Sequence, residues 1–285
     1  MKKLILVEKR GFCSGVSKAL SIVDRVLLEY SAPVYVYNEI VHNSSIVSNL
    51  KNRGVKFITS INDIPSRVPI IFSAHGVSPL VRQKASENNC FIIDATCAIV
   101  KKVHDKVHEY VRQGYYIIYI GHKNHEEVQG VIGESPENIF IVESVGEVDA
   151  IPRQFRKYVI LSQTTLSFFQ VDPIVAAVKM ILPQAISDAN ICSATTVRQR
   201  AVMRTAEQVD AFVVLGSKNS SNSNRLREVA SATVPAYLVD RAEDLDLEEI
   251  CKYSNIGLTS GASVPEYLVE EAVFLFKEEL GFIEA

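Results

Sequence analysis

The stretch FIIDATCAIVKKV, residues 91–103, joins a short apolar run to an amphipathic run through Cys97. The apolar run at residues 91–94 is typical of a buried strand, and the residues after Cys97 have the spacing of a helix. A strand that leads into a helix places the residue between them at the carboxyl end of a parallel sheet, where open α/β folds bind ligands. The stretch therefore predicts an α/β fold with a cysteine at a ligand-binding position.

The same arrangement occurs at two further places. Cys13 lies in LILVEKRGFCSGVSKAL, residues 4–20, and Cys192 lies in ISDANICSATTVRQRAV, residues 186–202. Cys13 and Cys97 are 84 positions apart, and Cys97 and Cys192 are 95 apart, each close to a third of the 285-residue chain. The repetition predicts three similar α/β domains, the last with a C-terminal helix, at residues 1–96, 97–191 and 192–285.

Short apolar runs alternate with segments of helical periodicity along nearly the whole chain. Most of the runs are continuous, as in parallel strands that are covered on both faces. The alternation predicts α/β domains with mostly parallel sheets around a pseudo-threefold axis and a central active site. The predicted strands are 3–7, 34–37, 55–58, 68–73, 91–94, 115–120, 139–142, 157–162, 211–215, 236–239 and 255–258. The predicted helices include 15–30, 44–53, 98–113 and 244–252.

The composition narrows the class of protein. Of the residues in the chain, 47% are hydrophobic and 22% are charged, and the net charge is −3. This charge does not indicate the basic surface that binds nucleic acid. Its N-terminal apolar run is too short for a secretory signal, and no run approaches the roughly 18 residues of a membrane span. Five cysteines, an odd number without small-scaffold spacing, argue against a disulfide framework. We therefore expect a cytoplasmic enzyme or binding protein without a nucleic-acid or membrane partner.

The cysteines allow two interpretations. Cys90 and Cys251 are read as small buried hydrophobic residues, whereas Cys13, Cys97 and Cys192 are compatible with either core packing or metal ligation. If the three meet, their thiolates suit zinc or an iron–sulfur cluster, but a structural zinc site needs a fourth ligand. A 4Fe-4S cluster on three cysteines leaves one iron without a protein ligand, and that iron can act as a Lewis acid. An electron carrier normally has a protein ligand on all four irons, so three cysteines favour catalysis at the cluster over electron transfer.

Polar loops follow several of the predicted strands. His42, His75 and His125 lie at strand ends or helix starts, where anions are favoured, whereas His104 and His108 on the helix after Cys97 are read as structural. In SKNSSNSN, residues 217–224, every residue but the lysine is Ser or Asn. A helix cap needs only one such residue, so a phosphate-binding loop is favoured over simple capping.

Taken together, these motifs strongly resemble one family across nearly the full chain. GFCSGV, HNSSIVSNL, FSAHGVS, DATC, HEEVQG, QTTLS, CSATTVRQ, GSKNSSNSNRL and GASVPE occur in the order found in 4-hydroxy-3-methylbut-2-enyl diphosphate reductases. The resemblance implies three α/β domains around a central 4Fe-4S cluster. It also implies reductive removal of the substrate hydroxyl to give isopentenyl and dimethylallyl diphosphates, with electrons from a flavodoxin or ferredoxin.

The resemblance also implies roles for individual residues. Cys13, Cys97 and Cys192 would ligate the cluster, and Glu127 would donate a proton together with Thr164. The substrate residues would be His42, His75, His125, Thr164, Ser220, Ser221, Asn222 and Ser263. The chain has Glu126 where the family usually has proline, so the His-x-Glu spacing selects Glu127 over its neighbour. An iron–sulfur hydro-lyase and a zinc-stabilised module that binds a phosphorylated ligand are the alternatives.

Overall fold

The computed structural model describes residues 2–189 and 191–285 and shows strands and helices in alternation. The strands are β1 (Lys3–Leu6), β2 (Val34–Tyr37), β3 (Val55–Ile58), β4 (Pro69–Phe72), β5 (Phe91–Asp94), β6 (Tyr116–Ile120), β7 (Ile139–Val142), β8 (Tyr158–Ser162), β9 (Ile186–Ser187), β10 (Ala211–Leu215), β11 (Ala236–Val239), β12 (Asn255–Ser260) and β13 (Ile283–Glu284). The helices are α1 (Ser14–Glu29), α2 (Ser44–Asn52), α3 (Pro79–Glu87), α4 (Ala98–Arg112), α5 (Glu126–Ile132), α6 (Phe168–Ile181), α7 (Ser193–Ala206), α8 (Ser221–Ser231), α9 (Leu247–Ile250) and α10 (Glu266–Phe274).

The strands of the described residues form three sheets in which neighbouring strands are parallel. Two sheets have four strands, in the orders β3-β2-β4-β5 and β7-β6-β8-β9, and the third has the order β11-β10-β12-β1-β13. In each sheet, the strand that leads to a cysteine (β5, β9 or β1) pairs with a strand whose loop carries predicted site residues (β4, β8 or β12). The α/β class with three parallel sheets is therefore confirmed.

The chain forms two compact units. The smaller unit comprises the chain up to Ser14, His42–Ile46 and Ser193–Ala285, and it contains the five-stranded sheet. The larger unit comprises Gly15–Val41 and Val47–Cys192, and it contains both four-stranded sheets. Because β1 pairs with β12, the first strand of the chain belongs to the same sheet as strands from its last third. The division at residues 96 and 191 stays a prediction.

Continuous apolar strands are explained by cores on both faces of the sheets. In the smaller unit, Val213 of β10 packs in one core, and its neighbours Phe212 and Val214 pack in another. In the larger unit, Ile118 and Ile117 of β6 divide between two cores in the same way. Each fully buried side chain of this kind contributes roughly 1.5–3 kcal/mol, so a polar residue at any of these positions is disfavoured.

Most predicted elements lie within two residues of the observed ones, with a few corrections. Gly54 and Gly114 follow α2 and α4 with φ of +94° and +77°, which confirms them as helix-terminating glycines. The two-residue strands β9 and β13 were not predicted, because two residues carry no periodicity. The predicted helix 244–252 is too long, because α9 spans only Leu247–Ile250. Cys251, which was predicted to be buried, is exposed. Across residues 2–189 and 191–285, no helix has both the length and the apolar character needed to cross a membrane.

Candidate active site

Each of the three predicted cluster cysteines directly precedes a helix. Cys13 comes before α1, Cys97 is the N-cap of α4, and Cys192 comes before α7. Their backbone N–H groups donate to carbonyls of the loops that follow β12, β4 and β8: Cys13 to Ala262 (3.2 Å), Cys97 to Ala74 (3.0 Å) and Cys192 to Thr164 (2.9 Å). The same local architecture is thus built three times, and a thiolate at each position faces the positive end of a helix dipole.

The thiol chemistry of these positions fits a metal cluster. All five cysteines lie in the described part of the chain, and none of them forms a disulfide. Cys13, Cys97 and Cys192 are half-buried, so none of them is fully enclosed in a hydrophobic core. Metal ligation requires deprotonated thiols, and helix N-termini favour that anionic form. The chemistry of each of these three positions therefore fits a thiolate ligand of an iron–sulfur group.

The loop of Cys97 is anchored by the carboxylate of Asp94, the last residue of β5. Asp94 Oδ1 accepts the N–H of Thr96 at 3.0 Å, while Oδ2 contacts Lys101 at 2.8 Å and Arg82 at 3.3 Å. Burial alone would raise the pKa of Asp94, but these hydrogen bonds and charges lower it to about 2. The carboxylate therefore holds strand, loop and helix together at neutral pH.

Glu127 and Thr164 lie together in the larger unit and are both buried. Glu127 is 1% exposed, and its Oε1 accepts the Thr164 N–H at 2.8 Å while its Oε2 accepts the Thr164 hydroxyl at 2.9 Å. Burial raises the pKa of Glu127, although the two Thr164 hydrogen bonds and the charges of His75 and His104 oppose that rise. A buried carboxyl with a raised pKa can hold a proton at higher pH than an exposed one and donate it to a reacting group.

The rotation of helix α5 separates Glu127 from Glu126. Successive helical residues point about 100° apart, so two adjacent carboxylates cannot face the same surroundings. Glu127 points into the protein, whereas Glu126 is 24% exposed and contacts His75 Nδ1 at 2.8 Å. The two acids therefore have different partners: Glu127 accepts hydrogen bonds from Thr164, and Glu126 contacts His75.

His125 is the N-cap of α5. Its Nδ1 accepts the Glu127 N–H at 3.1 Å, so in a neutral ring the proton lies on Nε2. The His75 ring meets the His125 ring edge-on, with 5.7 Å between the centroids. His75, His125, Glu126 and Glu127 thus form one polar cluster at the start of α5.

The loop SKNSSNSN of the smaller unit is fixed by its own serines. Ser220 is the N-cap of α8 and accepts the Ser223 N–H at 3.3 Å, and the Ser223 hydroxyl donates to Ser220 Oγ at 3.0 Å. A Cβ atom on either Gly216 or Gly261 would collide with the Ser223 hydroxyl. Glycine at both positions therefore lets this loop pack against the loop of GASVPE.

Asn222 and Ser263 are buried on these two loops. Asn222 is 6% exposed, and neither its amide nitrogen nor its amide oxygen has a hydrogen-bond partner among the described residues. Ser263 donates its hydroxyl to the His42 carbonyl at 2.9 Å, which ties the predicted histidine loop to the GASVPE loop. A buried amide without a partner is costly, so its retention indicates a ligand that satisfies it.

Two features of these regions were missed by the sequence reasoning. Tyr119 of β6 is buried, and burial and the neighbouring Glu127 carboxyl raise its pKa well above the ordinary value, although its hydroxyl lies outside hydrogen-bond geometry with the described residues. In the smaller unit, Ser217 donates to Asp240 and accepts the Ser44 N–H at 3.1 Å. Asp240 directly follows the predicted strand 236–239, and an acid at a strand end was the signal that could have identified it.

The chain matches the family model described as LytB protein over residues 4–277. It is 46% identical over 267 residues to a 4-hydroxy-3-methylbut-2-enyl diphosphate reductase of Neisseria gonorrhoeae, covering 92% of this chain and 83% of the relative. It is 44% identical over 268 residues to a protein of the same name from Chlamydia trachomatis, covering 92% of this chain and 87% of the relative.

Two solved structures of reductases with similar names also match this chain. The E-1-hydroxy-2-methyl-but-2-enyl-4-diphosphate reductase of Plasmodium falciparum superposes with a TM-score of 0.97 at 37% identity, covering all of this chain and 91% of that one. A second structure, titled as the terminal enzyme of the non-mevalonate pathway, gives a TM-score of 0.70 at 30% identity, covering 98% of this chain and all of that one. The fold and the relatives define an α/β oxidoreductase. The chain belongs to the LytB protein family.

Proposed function

We propose that this protein reduces 4-hydroxy-3-methylbut-2-enyl diphosphate to isopentenyl and dimethylallyl diphosphates at one 4Fe-4S cluster ligated by Cys13, Cys97 and Cys192. The observation that carries the proposal is the buried Glu127 carboxyl, held by two hydrogen bonds from Thr164 and raised in pKa by burial. The reaction breaks a carbon–oxygen bond and consumes two electrons and two protons, with water as the second product. An acid whose pKa lies above its ordinary value is the kind of proton donor that this reaction needs from the protein.

When bound, the cluster would supply the electrons one at a time, together with Lewis acidity from its iron without a cysteine ligand. The chain contains no G-x-G-x-x-G fingerprint for a dinucleotide, so the electrons come from an external carrier of the flavodoxin or ferredoxin type. Half-buried thiols at three helix starts support this ligand set.

Glu127 and Thr164 would provide the proton for the departing hydroxyl. Hydroxide is a poor leaving group, and protonation converts it to water, which lowers the barrier to bond cleavage. Thr164 holds both carboxylate oxygens of Glu127 through its N–H and its hydroxyl, so the acid has one orientation. Glu127 is 1% exposed, so bulk water is kept from its carboxyl.

The diphosphate would be bound by neutral donors and histidines. The Asn222 amide is buried and without a partner among the described residues, and Ser221 and Asn222 lie in the first turn of the eleven-residue helix α8. Free N–H groups at a helix start bind anions without a lysine or arginine. We assign Ser220, Ser221, Asn222, Ser263 and His42 to this role, and His75 and His125 to the substrate as well.

Turnover of anaerobically reconstituted protein tests the proposal. With a reduced one-electron dye, we expect the substrate to disappear and both isopentenyl and dimethylallyl diphosphates to form. Turnover that needs no reductant would instead indicate a hydro-lyase. Metal and sulfide analysis of the same protein that finds one zinc and no sulfide would indicate a zinc-stabilised binding module. Either result would contradict the proposed function.

A matched pair of variants tests the acid. Glu127→Gln keeps the shape of the side chain but removes its acidic proton, so we expect it to bind substrate and lose most turnover. Glu126→Gln, one position away, is expected to keep most turnover because Glu126 is paired with His75 at 2.8 Å. The reverse pattern would exclude Glu127 as the proton donor.

A further inference from the structure

The loop before Cys13 is held by the last residue of β12 and by an arginine of α7, all within the smaller unit. The Gly11 N–H donates to Ser260 Oγ at 2.7 Å, and Arg198 Nη2 donates to the Gly11 carbonyl at 2.8 Å. Both hydrogen bonds are buried. Two residues before a proposed cluster ligand, both polar backbone groups of Gly11 are therefore bound by side chains from distant parts of the sequence.

The backbone conformation of Gly11 explains why the loop needs these contacts. Its φ is +69°, in the left-handed region, so a residue with a side chain would be strained at this position. Glycine is also the residue that loses most conformational freedom when it becomes ordered. The order of the loop therefore depends on the groups that bind it from outside.

Arg198 is a buried charge beside apolar residues of the same helix face. It is 6% exposed, and Ala201 and Val202, three and four positions later on α7, are buried in a core that also contains Val7. Removing a guanidinium from water costs free energy unless its N–H groups are hydrogen-bonded. The Gly11 carbonyl supplies such an acceptor, and a hydrogen bond from a charged donor is stronger than one between neutral groups.

The hydrogen bonds fix the two peptide groups that directly precede Cys13. The Gly11 carbonyl belongs to the planar peptide group between residues 11 and 12, and the Cys13 N–H belongs to the one between residues 12 and 13. Arg198 binds the first of these groups, and the Ala262 carbonyl accepts from the second at 3.2 Å. Ser260 binds only the peptide group before Gly11, so it does not replace Arg198.

We propose that Arg198 is a positioning residue for the cluster ligand Cys13: by fixing the Gly11 peptide group, it orders this ligand before the cluster binds. The inference rests on the proposed ligation of a 4Fe-4S cluster by Cys13. A ligand that is ordered in advance loses less conformational freedom on binding, and groups that orient a metal ligand from outside contribute to metal affinity. Arg198 should therefore slow the loss of iron from the loaded protein.

Arg198→Met tests the proposal, because it keeps an unbranched apolar stem and removes the donor. In the cluster-free full chain, we expect the amides of Gly11 and Cys13 to exchange hydrogen about 10-fold faster than in wild type, as for one lost hydrogen bond from a charged group. The amide of Cys97, which donates to Ala74 in the larger unit, should be unchanged. After anaerobic reconstitution, the variant should lose iron to an excess of chelator about 10-fold faster than wild type.

Arg225→Met is the matched control. Arg225 lies on α8 in the same unit, its side chain is 12% exposed, and it contacts Glu228 at 2.6 Å, so this substitution also removes a largely buried guanidinium. We expect wild-type exchange at Gly11 and Cys13 and wild-type loss of iron. If Arg198→Met fails to fold, Arg198→Gln also removes the guanidinium and carries the same expectations.

Three results would each overturn the proposal: unchanged exchange at Gly11 and Cys13, unchanged loss of iron, or equally fast loss of iron in Arg225→Met. A purely structural Arg198 would lower the melting temperature and speed exchange throughout the smaller unit, without a particular increase at these two amides. Hydrogen exchange is measured without the cluster. A wild-type protein that bound only zinc would therefore reject the proposed function, while hydrogen exchange would still decide whether Arg198 orders the Cys13 loop.

Discussion

Replacing Thr164 with valine should make Glu127 a weaker acid. The substitution removes the hydroxyl that donates to Glu127 Oε2 at 2.9 Å and leaves the backbone N–H that donates to Oε1 at 2.8 Å. A hydrogen bond to a charged group contributes about 1.5–3 kcal/mol, and one between neutral groups about 0.5–1.5 kcal/mol. The ionised form of Glu127 therefore loses about 1–1.5 kcal/mol more than the neutral form, which corresponds to a rise of about one pKa unit.

The pH dependence of turnover measures this change. Turnover needs protonated Glu127, so the decrease in turnover at high pH follows the Glu127 pKa. In Thr164→Val, we expect the midpoint of this decrease to move up by about one pH unit. Thr165→Val is the control, because it removes the hydroxyl of the neighbouring threonine, which accepts from Gln163 at 3.1 Å. If this midpoint is unchanged in Thr164→Val, or moves as far in Thr165→Val, the hydrogen bond from the Thr164 hydroxyl does not determine the pKa of Glu127.

Two further predictions concern the diphosphate residues and the Cys97 loop. Asn222→Ala should weaken the binding of inorganic diphosphate roughly 10- to 100-fold, as expected for one lost hydrogen bond to a charged group, while leaving the melting temperature unchanged because the amide has no partner among the described residues. Calorimetric titration checks this, and unchanged binding would remove Asn222 from the site. Asp94→Asn should destabilise the cluster-free protein by about 1 kcal/mol at pH 7, after discounting for the 25% exposure of the carboxylate. Because the folded pKa of about 2 lies below the ordinary value of 3.8, this stabilisation is complete above that higher value and is lost as the pH falls toward 2. Denaturation of both proteins across this range measures the difference, and equal stability at pH 7 would contradict the anchoring role.

The strands and the cysteine positions could be predicted because each depends on local sequence. Runs such as AFVVL at Ala211–Leu215 are apolar on both faces, and the observed cores on both sides of β10 are the reason. The pairing of β1 with β12 could not be predicted, because it joins residues about 250 positions apart and carries no local pattern.

The site residues stay predictions that rest on motifs, whereas the surroundings of each side chain depend on packing. Spacing selected Glu127 over Glu126, but only the orientation of α5 gives one acid a buried place and the other a contact with His75. The pairing of His104 with Glu134 was not predictable, because the two residues are 30 positions apart and neither lies in a strand-end loop. The exposure of Cys251 depends on where the short helix α9 ends, which its polar sequence does not determine.

The iron and acid-labile sulfide content of anaerobically reconstituted protein tests the three-cysteine cluster most directly. Wild type, Cys90→Ser and Cys251→Ser should each hold about four iron and four sulfide per chain, while Cys13→Ser, Cys97→Ser and Cys192→Ser should each lose most of both. Full iron and sulfide in any of the last three variants, or their loss in Cys90→Ser or Cys251→Ser, would contradict the assigned ligands.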